Sequence, residues 1–154
     1  MPNSARLLLQ TGQILFENSC IPHKALLHRI YRDQHPSDLC TICSSSVDST
    51  EHFLFYCPVK TSVWQAVIFE FLWPTVTIPD IILAARTLDF YNIRYSQRRG
   101  VPVSVIVFIT LANIWRHHFR TVFDNTTFTT AAVLPGIRID IITRIDEDHV
   151  HNTL

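Results

Sequence analysis

Cys40-Thr-Ile-Cys43, His52 and Cys57 bring three of the chain's four cysteines and one histidine into a short window, spaced C-x2-C-x8-H-x4-C. Thiolate sulfur and imidazole nitrogen are the donors that borderline-soft Zn²⁺ prefers, and four protein ligands close its tetrahedron with no position left for water. The chemistry implied is structural: such a site staples a loop and activates nothing. The two residues between Cys40 and Cys43 form a tight turn that puts both sulfurs on one side of a metal. His52 and Cys57 stand five positions apart, about one helical turn plus a residue, and are expected to face one way. Ser44 to Thr50 is small and polar, as a turn requires. Phe53, Leu54, Phe55 and Tyr56 are expected to pack the knuckle onto a neighbouring core.

Other uses of these residues fit less well. A redox C-x-x-C follows a strand and opens a helix, whereas Pro36-Ser37-Asp38 precedes this one and a serine run follows it. A disulfide needs an oxidising compartment and leaves His52 without a role. Buried cysteines brought together by coincidence are the remaining alternative. Cys20 stands apart and reads as a small buried hydrophobe. His28 and His35 are within reach of the loop, but four better-spaced donors already exist. His117-His118, beside Trp115, Arg116 and Arg120, reads as a partly exposed, solvated face.

Nothing points to catalysis. The chain has no G-x-S-x-G elbow, no phosphate-binding glycine loop among its three glycines, and no H-E-x-x-H pair. Glu51 directly precedes His52, a spacing unlike the base of a metalloprotease or the H-x-E of zinc deaminases. A non-enzymatic protein is expected.

The 154 residues are 47% apolar, with ten Phe and three Trp, enough to bury a core. Lys and Arg balance Asp and Glu at 13 each, so net charge does not advertise a polyanionic partner. The distribution is uneven. Residues 61–120 carry six arginines (Arg86, Arg94, Arg98, Arg99, Arg116, Arg120) against three acids, and the tail carries Asp146-Glu147-Asp148. A basic middle and an acidic tail are expected to pair within the molecule. No secretory leader is visible, and the most apolar stretch, Val101 to Trp115, is too short for a bilayer, which takes roughly 18–20 residues. An intracellular protein without a membrane partner is expected, in the nucleus or the cytoplasm.

Apolar spacing places helices over Ser4–Asn18 (interrupted by Gly12), over Ala25–Tyr31, from Pro58 to Pro74, from about Pro79 through Leu88, and from Pro102 onward as the longest of all. Pro58 suits a first helical turn, where its missing N–H costs nothing. Tyr91 to Gly100 reads as a loop. Asp124 or Asn125 is expected to cap a helix that Pro135-Gly136 interrupts, a further helix covers Ile137–Ile145, and the last residues fray. The fold class is mainly α: a small CCHC zinc knuckle packed on a helical, bundle-like core.

The run Leu27-His-Arg-Ile30, Cys40-x2-Cys43, Glu51-His52-Phe-Leu-Phe-Tyr-Cys57-Pro58 and Val63-Trp64 resembles the zinc-binding domain found C-terminal to the reverse transcriptase of non-LTR (LINE-type) retrotransposons. In that family a helix leads into C-x2-C, an acidic residue precedes the histidine, and H-x4-C-P opens a helix with an early Trp. The likeness covers about residues 23 to 70. It implies that Cys40, Cys43, His52 and Cys57 are zinc ligands, and that Leu39 and Trp64 are packing positions. Family members often carry Gly after the second cysteine, where this chain has Ser44. No Asp-Asp pair of a polymerase palm and no endonuclease is present. The resemblance thus implies a remnant or stand-alone C-terminal piece of a retroelement protein, divided into an N-terminal segment (1–22), a zinc-binding domain (23–73) and a helical C-terminal region (74–154). The partner it implies is RNA or DNA, contacted through Arg86, Arg94, Arg98, Arg99, Arg116 and Arg120. A zinc-stabilised protein-interaction or purely structural domain is the alternative.

Overall fold

A computed structural model describes residues 21–93 and 100–153. The expected helix over 4–18, Cys20, Arg94, Arg98, Arg99 and most of the expected loop before Gly100 lie outside the described residues. Within them the chain is mainly helical: α1 (Lys24–Ile30), a π-helical turn (His52–Tyr56), α2 (Pro58–Phe71), α3 (Ile78–Thr87), α4 (Val103–Asp124) and α5 (Thr130–Asn152). Extended pairing among the described residues is a single antiparallel bridge, Leu39 with Val47. No helix among the described residues is long and apolar enough to cross a membrane.

Local chemistry sets the helix ends. Pro58 occupies the first turn of α2 as expected. At the start of α3, Thr77 and Asp80 form a reciprocal capping box: the Asp80 carboxylate accepts from the Thr77 N–H at 2.8 Å, and the Asp80 N–H donates to the Thr77 hydroxyl at 3.3 Å. The Thr77 hydroxyl also donates to the Asp80 carboxylate at 2.6 Å, and this bond first, with the one from the Thr77 N–H, holds the Asp80 carboxyl below the usual carboxylate range. The Thr129 hydroxyl caps α5 by accepting from the Ala132 N–H at 3.1 Å.

The C-terminal third departs from expectation in three ways. Asn125, at φ +54°, ends α4 in the left-handed conformation and starts nothing; Thr129 is the cap of the next helix. Pro135-Gly136 does not interrupt that helix. The lost hydrogen bond would have gone to the carbonyl of Ala131, which is exposed and so open to solvent. The burial of Val133, Ile137 and Ile141 against the rest of the core offsets the cost of an interior Pro, about 3 kcal/mol. The final turns are helical to Asn152, with Arg144 reaching Glu147 at 3.8 Å and Asp148 at 3.5 Å along the helix. At 23 residues α5 is longer than the 22-residue α4.

One hydrophobic cluster extends from Ile21 through Phe53, Trp64 and Phe71 to Ile114, Val133 and Ile141. Ile106 to Leu111 of α4 are all buried in succession, so this helix is enclosed on every side there rather than presenting one apolar stripe. α5 lies across α4 and α2, and α3 packs on α4. Gly136 makes the α4–α5 approach possible, because a Cβ at that position would meet the Asn113 side-chain oxygen at 2.7 Å. Asn113 is fully buried and donates to the Ile109 carbonyl at 3.0 Å and to Asp140 at 2.8 Å, so its amide cannot swing aside without losing both bonds. Gly136→Ala gains about 1 kcal/mol of helix propensity and meets an overpacking cost of about 1–3 kcal/mol. The expected outcome in denaturant unfolding is a net loss of stability; a more stable variant would contradict this packing.

Candidate metal centre

The loop that carries the first two cysteines is tied at its base. The Leu39–Val47 bridge brings the Cys40 N–H to the Ser46 carbonyl and the Asp48 N–H to the Asp38 carbonyl, both at 2.9 Å. Inside it the Ser44 N–H donates to the Cys40 carbonyl at 2.9 Å, closing the turn that aims Cys40 and Cys43 inward. Ser44 sits at φ +54°, a left-handed conformation in which an L side chain is disfavoured.

His52 and Cys57 reach the same place by a different device. In an α-helix, residues five apart are rotated by roughly 140° at 3.6 residues per turn and do not face one way. The chain instead makes a π-helical turn, in which the Cys57 N–H donates to the His52 carbonyl at 3.0 Å. The wider turn brings the two side chains toward one side. Ser49 opens it: its hydroxyl accepts from the His52 N–H at 3.2 Å, and its carbonyl from the Phe53 N–H at 2.7 Å.

The last carbonyls of this turn lie at a helix end, and Pro58 has no N–H to give the Phe53 carbonyl. Three side chains of α2 take them: Lys60 Nζ donates to the Phe53 carbonyl at 2.5 Å, the Trp64 indole to the Leu54 carbonyl at 2.9 Å, and the Thr61 hydroxyl to the Phe55 carbonyl at 2.8 Å. Phe53, Leu54, Phe55 and Trp64 are buried, with Phe55 stacked on Trp64 at 5.2 Å between ring centroids. Tyr56 and Leu39 remain substantially exposed, contrary to the packing role expected of each. Tyr56 lies on the outer side of the turn, and Leu39 is held by its bridge rather than by the core.

All four expected donors meet. One donor atom each from Cys40, Cys43, His52 and Cys57 lies within 4.8 Å of the others. Cys40 and Cys57 Sγ stand 3.9 Å apart, and Cys43 Sγ lies 3.4 Å from His52 Nε2. None of the three cysteines is in a disulfide. The group can hold a metal ion. Cys40 and Cys57 share their protons unequally: the first gives up its proton well below the usual thiol range, stabilised mainly by the hydrogen bond between them, and the second is pushed up by that same bond and by burial. His28 and His35 are outside the cluster, with His28 Nδ1–H donating to the His35 carbonyl at 2.7 Å.

Charged groups missed in the sequence reading surround the centre. Lys60 is completely buried; its ammonium also meets His118 Nδ1 at 3.0 Å and lies 4.2 Å from the centroid of the Phe53 ring. His118 is therefore no part of a solvated face. Burial, and then the neighbouring Lys60, push it down to about 3, so it is neutral and accepts at Nδ1. Burial lowers Lys60, against the opposing pull of Cys40, Cys57, Asp48 and Cys43. Asp48 is also fully buried: it accepts from the Lys24 N–H at 3.0 Å, which helps cap α1, and burial raises its carboxyl. The signal for Lys60 was its phase, three, four and seven positions before Val63, Trp64 and Val67 on the buried face of α2. On the outer side, Arg86 of α3 pairs with Glu51, the residue before His52.

Comparison of the chain with known protein families, with curated proteins and with solved structures finds no match. The geometry of the centre and its surroundings carries the functional reading. Because glycine adopts the conformation of Ser44 without penalty, Ser44→Gly is expected to stabilise the metal-loaded protein by about 0.5–1 kcal/mol, and Ser44→Val to destabilise it. Thermal unfolding at saturating metal measures both, and equal midpoints for the three proteins would refute the strain at this turn.

Proposed function

We propose that this protein is a non-catalytic zinc-binding module of the kind found C-terminal to the reverse transcriptase of non-LTR retrotransposons, in which the metal fixes a knuckle on a helical platform that contacts RNA or DNA. The observation that carries the metal reading is the donor geometry. A tetrahedron built from Zn–S of about 2.3 Å and Zn–N of about 2.0–2.1 Å has S–S edges of roughly 3.8 Å and S–N edges of roughly 3.5 Å. The 3.9 Å and 3.4 Å separations lie close to those edges. Three thiols and an imidazole favour zinc over hard cations such as Mg²⁺ or Ca²⁺, which take oxygen ligands. Cys40, Cys43, His52 and Cys57 would fill the coordination sphere, so the metal supplies folding energy and no reactive water.

The nucleic-acid part of the proposal rests on the resemblance and on the arginines between residues 61 and 120. A specific observation favours a second reading, a zinc-stabilised structural or protein-interaction domain. Arg86 faces Glu51, and Arg116 lies 4.0 Å from Asp140, so neither is offered to phosphate without competition from an acid. Non-specific phosphate binding is electrostatic and needs cations that converge.

Purified protein is expected to carry one zinc per chain and to release it to a chelator with loss of ordered structure, and His52→Ala is expected to lose the metal. Full zinc content in that variant would refute the ligand assignment. Filter binding of single- and double-stranded oligonucleotides then separates the two readings. Contact with three phosphates of a duplex predicts an affinity about 40-fold lower at 200 mM than at 50 mM salt. No binding at 50 mM salt would remove nucleic acid and leave the structural module.

A further inference from the structure

We propose that Lys60 is the buried counter-cation of the metal centre, and that its charge strengthens metal binding. The inference rests on the metal reading above and extends it to a residue outside the ligand set. A divalent ion on three thiolates and one neutral imidazole carries one net negative charge, and this centre is set against an apolar core. Cys40, His52 and Cys57 are buried, as is Asp48, a carboxylate in the same neighbourhood. An anion in such surroundings requires a cation close by.

Lys60 is the one fully buried Lys or Arg among the described residues. It stands in the first turn of α2, its backbone N–H on the Cys57 carbonyl at 2.8 Å and its ammonium on the carbonyl of Phe53, next to His52. The ammonium's polar partners, the Phe53 carbonyl and the neutral His118 ring, are uncharged, and so is the Phe53 ring beside it. They satisfy its hydrogen bonds and leave its charge to be balanced by the metal centre and Asp48. His118 belongs to α4, so the same ammonium joins the metal-bearing turn to the central helix. Lys60 thus strengthens metal binding by favouring the loaded state.

The test compares wild type with Lys60→Met, which keeps the length and removes the charge, and Lys60→Gln, which keeps a donor for the Phe53 carbonyl and also removes the charge. Zinc affinity is read by competition with a chromophoric chelator, and is expected to fall at least 10-fold in both variants. Alkylation of the zinc-bound thiolates by iodoacetamide is expected to quicken several-fold in both variants. Zinc affinities within twofold of wild type would overturn the inference. So would a Lys60→Gln protein that matches wild type, or failure of both variants to fold at saturating zinc, since either makes Lys60 a hydrogen-bond donor only. If wild type itself binds no zinc, it is the metal reading that fails.

Discussion

The carbonyls at the end of the His52–Tyr56 turn are the constraint from which the site and much of the core follow. A π-helical turn is needed to bring His52 and Cys57 to one side, and Pro58, which starts α2 cleanly, has no N–H to offer that turn. Leaving a buried carbonyl unpaired costs about 1–3 kcal/mol each. The chain satisfies three of them with Lys60, Thr61 and Trp64, all from the first two turns of α2. That arrangement locks the turn carrying His52 to α2 without any metal. It also explains why a Trp seven residues after the last cysteine is useful: its ring fills the core while its N–H reaches back.

The rest of the fold braces this joint. α4 supplies Trp115, His118 and Phe119 around the Phe53 ring, and α5 lies over α2 and α4 at a distance set by Gly136. On the outer surface Arg86 from α3 meets Glu51, and Arg138 of α5 meets Glu70 of α2 through paired hydrogen bonds of 2.8 to 3.0 Å. Exposed pairs of this kind contribute little to stability, about 0–1 kcal/mol each. Their effect is to spend arginines on intramolecular acids. The expected pairing of a basic middle with an acidic tail is realised only in part: Arg116 meets Asp140, while two acids of the tail turn to Arg144 of their own helix.

The mainly helical fold and the meeting of the four donors were legible because both depend on spacing. The C-x2-C pair needs only a tight turn, and the apolar rows of α2 and α4 repeat at helical intervals. What spacing did not reveal was the kind of turn between His52 and Cys57. Five residues on an α-helix diverge, and the π turn arises from the demand that both side chains face inward together with the Pro that follows. Lys60 was missed and His118 misjudged for a related reason. A cation and a histidine are ordinarily assigned to solvent, and only their phase on otherwise buried faces betrays that each supplies the other with a partner. Pro135-Gly136 misled in the opposite direction: as a local signal it breaks a helix, and tertiary burial of Val133, Ile137 and Ile141 overrides it.

The proposed site holds its metal by three sulfurs and one nitrogen with nothing else in the shell. X-ray absorption at the zinc edge on the purified, unmodified protein tests this most directly. The prediction is a first shell of three sulfurs at about 2.3 Å and one nitrogen at about 2.0–2.1 Å. A shell dominated by oxygen and nitrogen, or one with only two sulfurs and a bound water, would contradict the closed Cys40–Cys43–His52–Cys57 site.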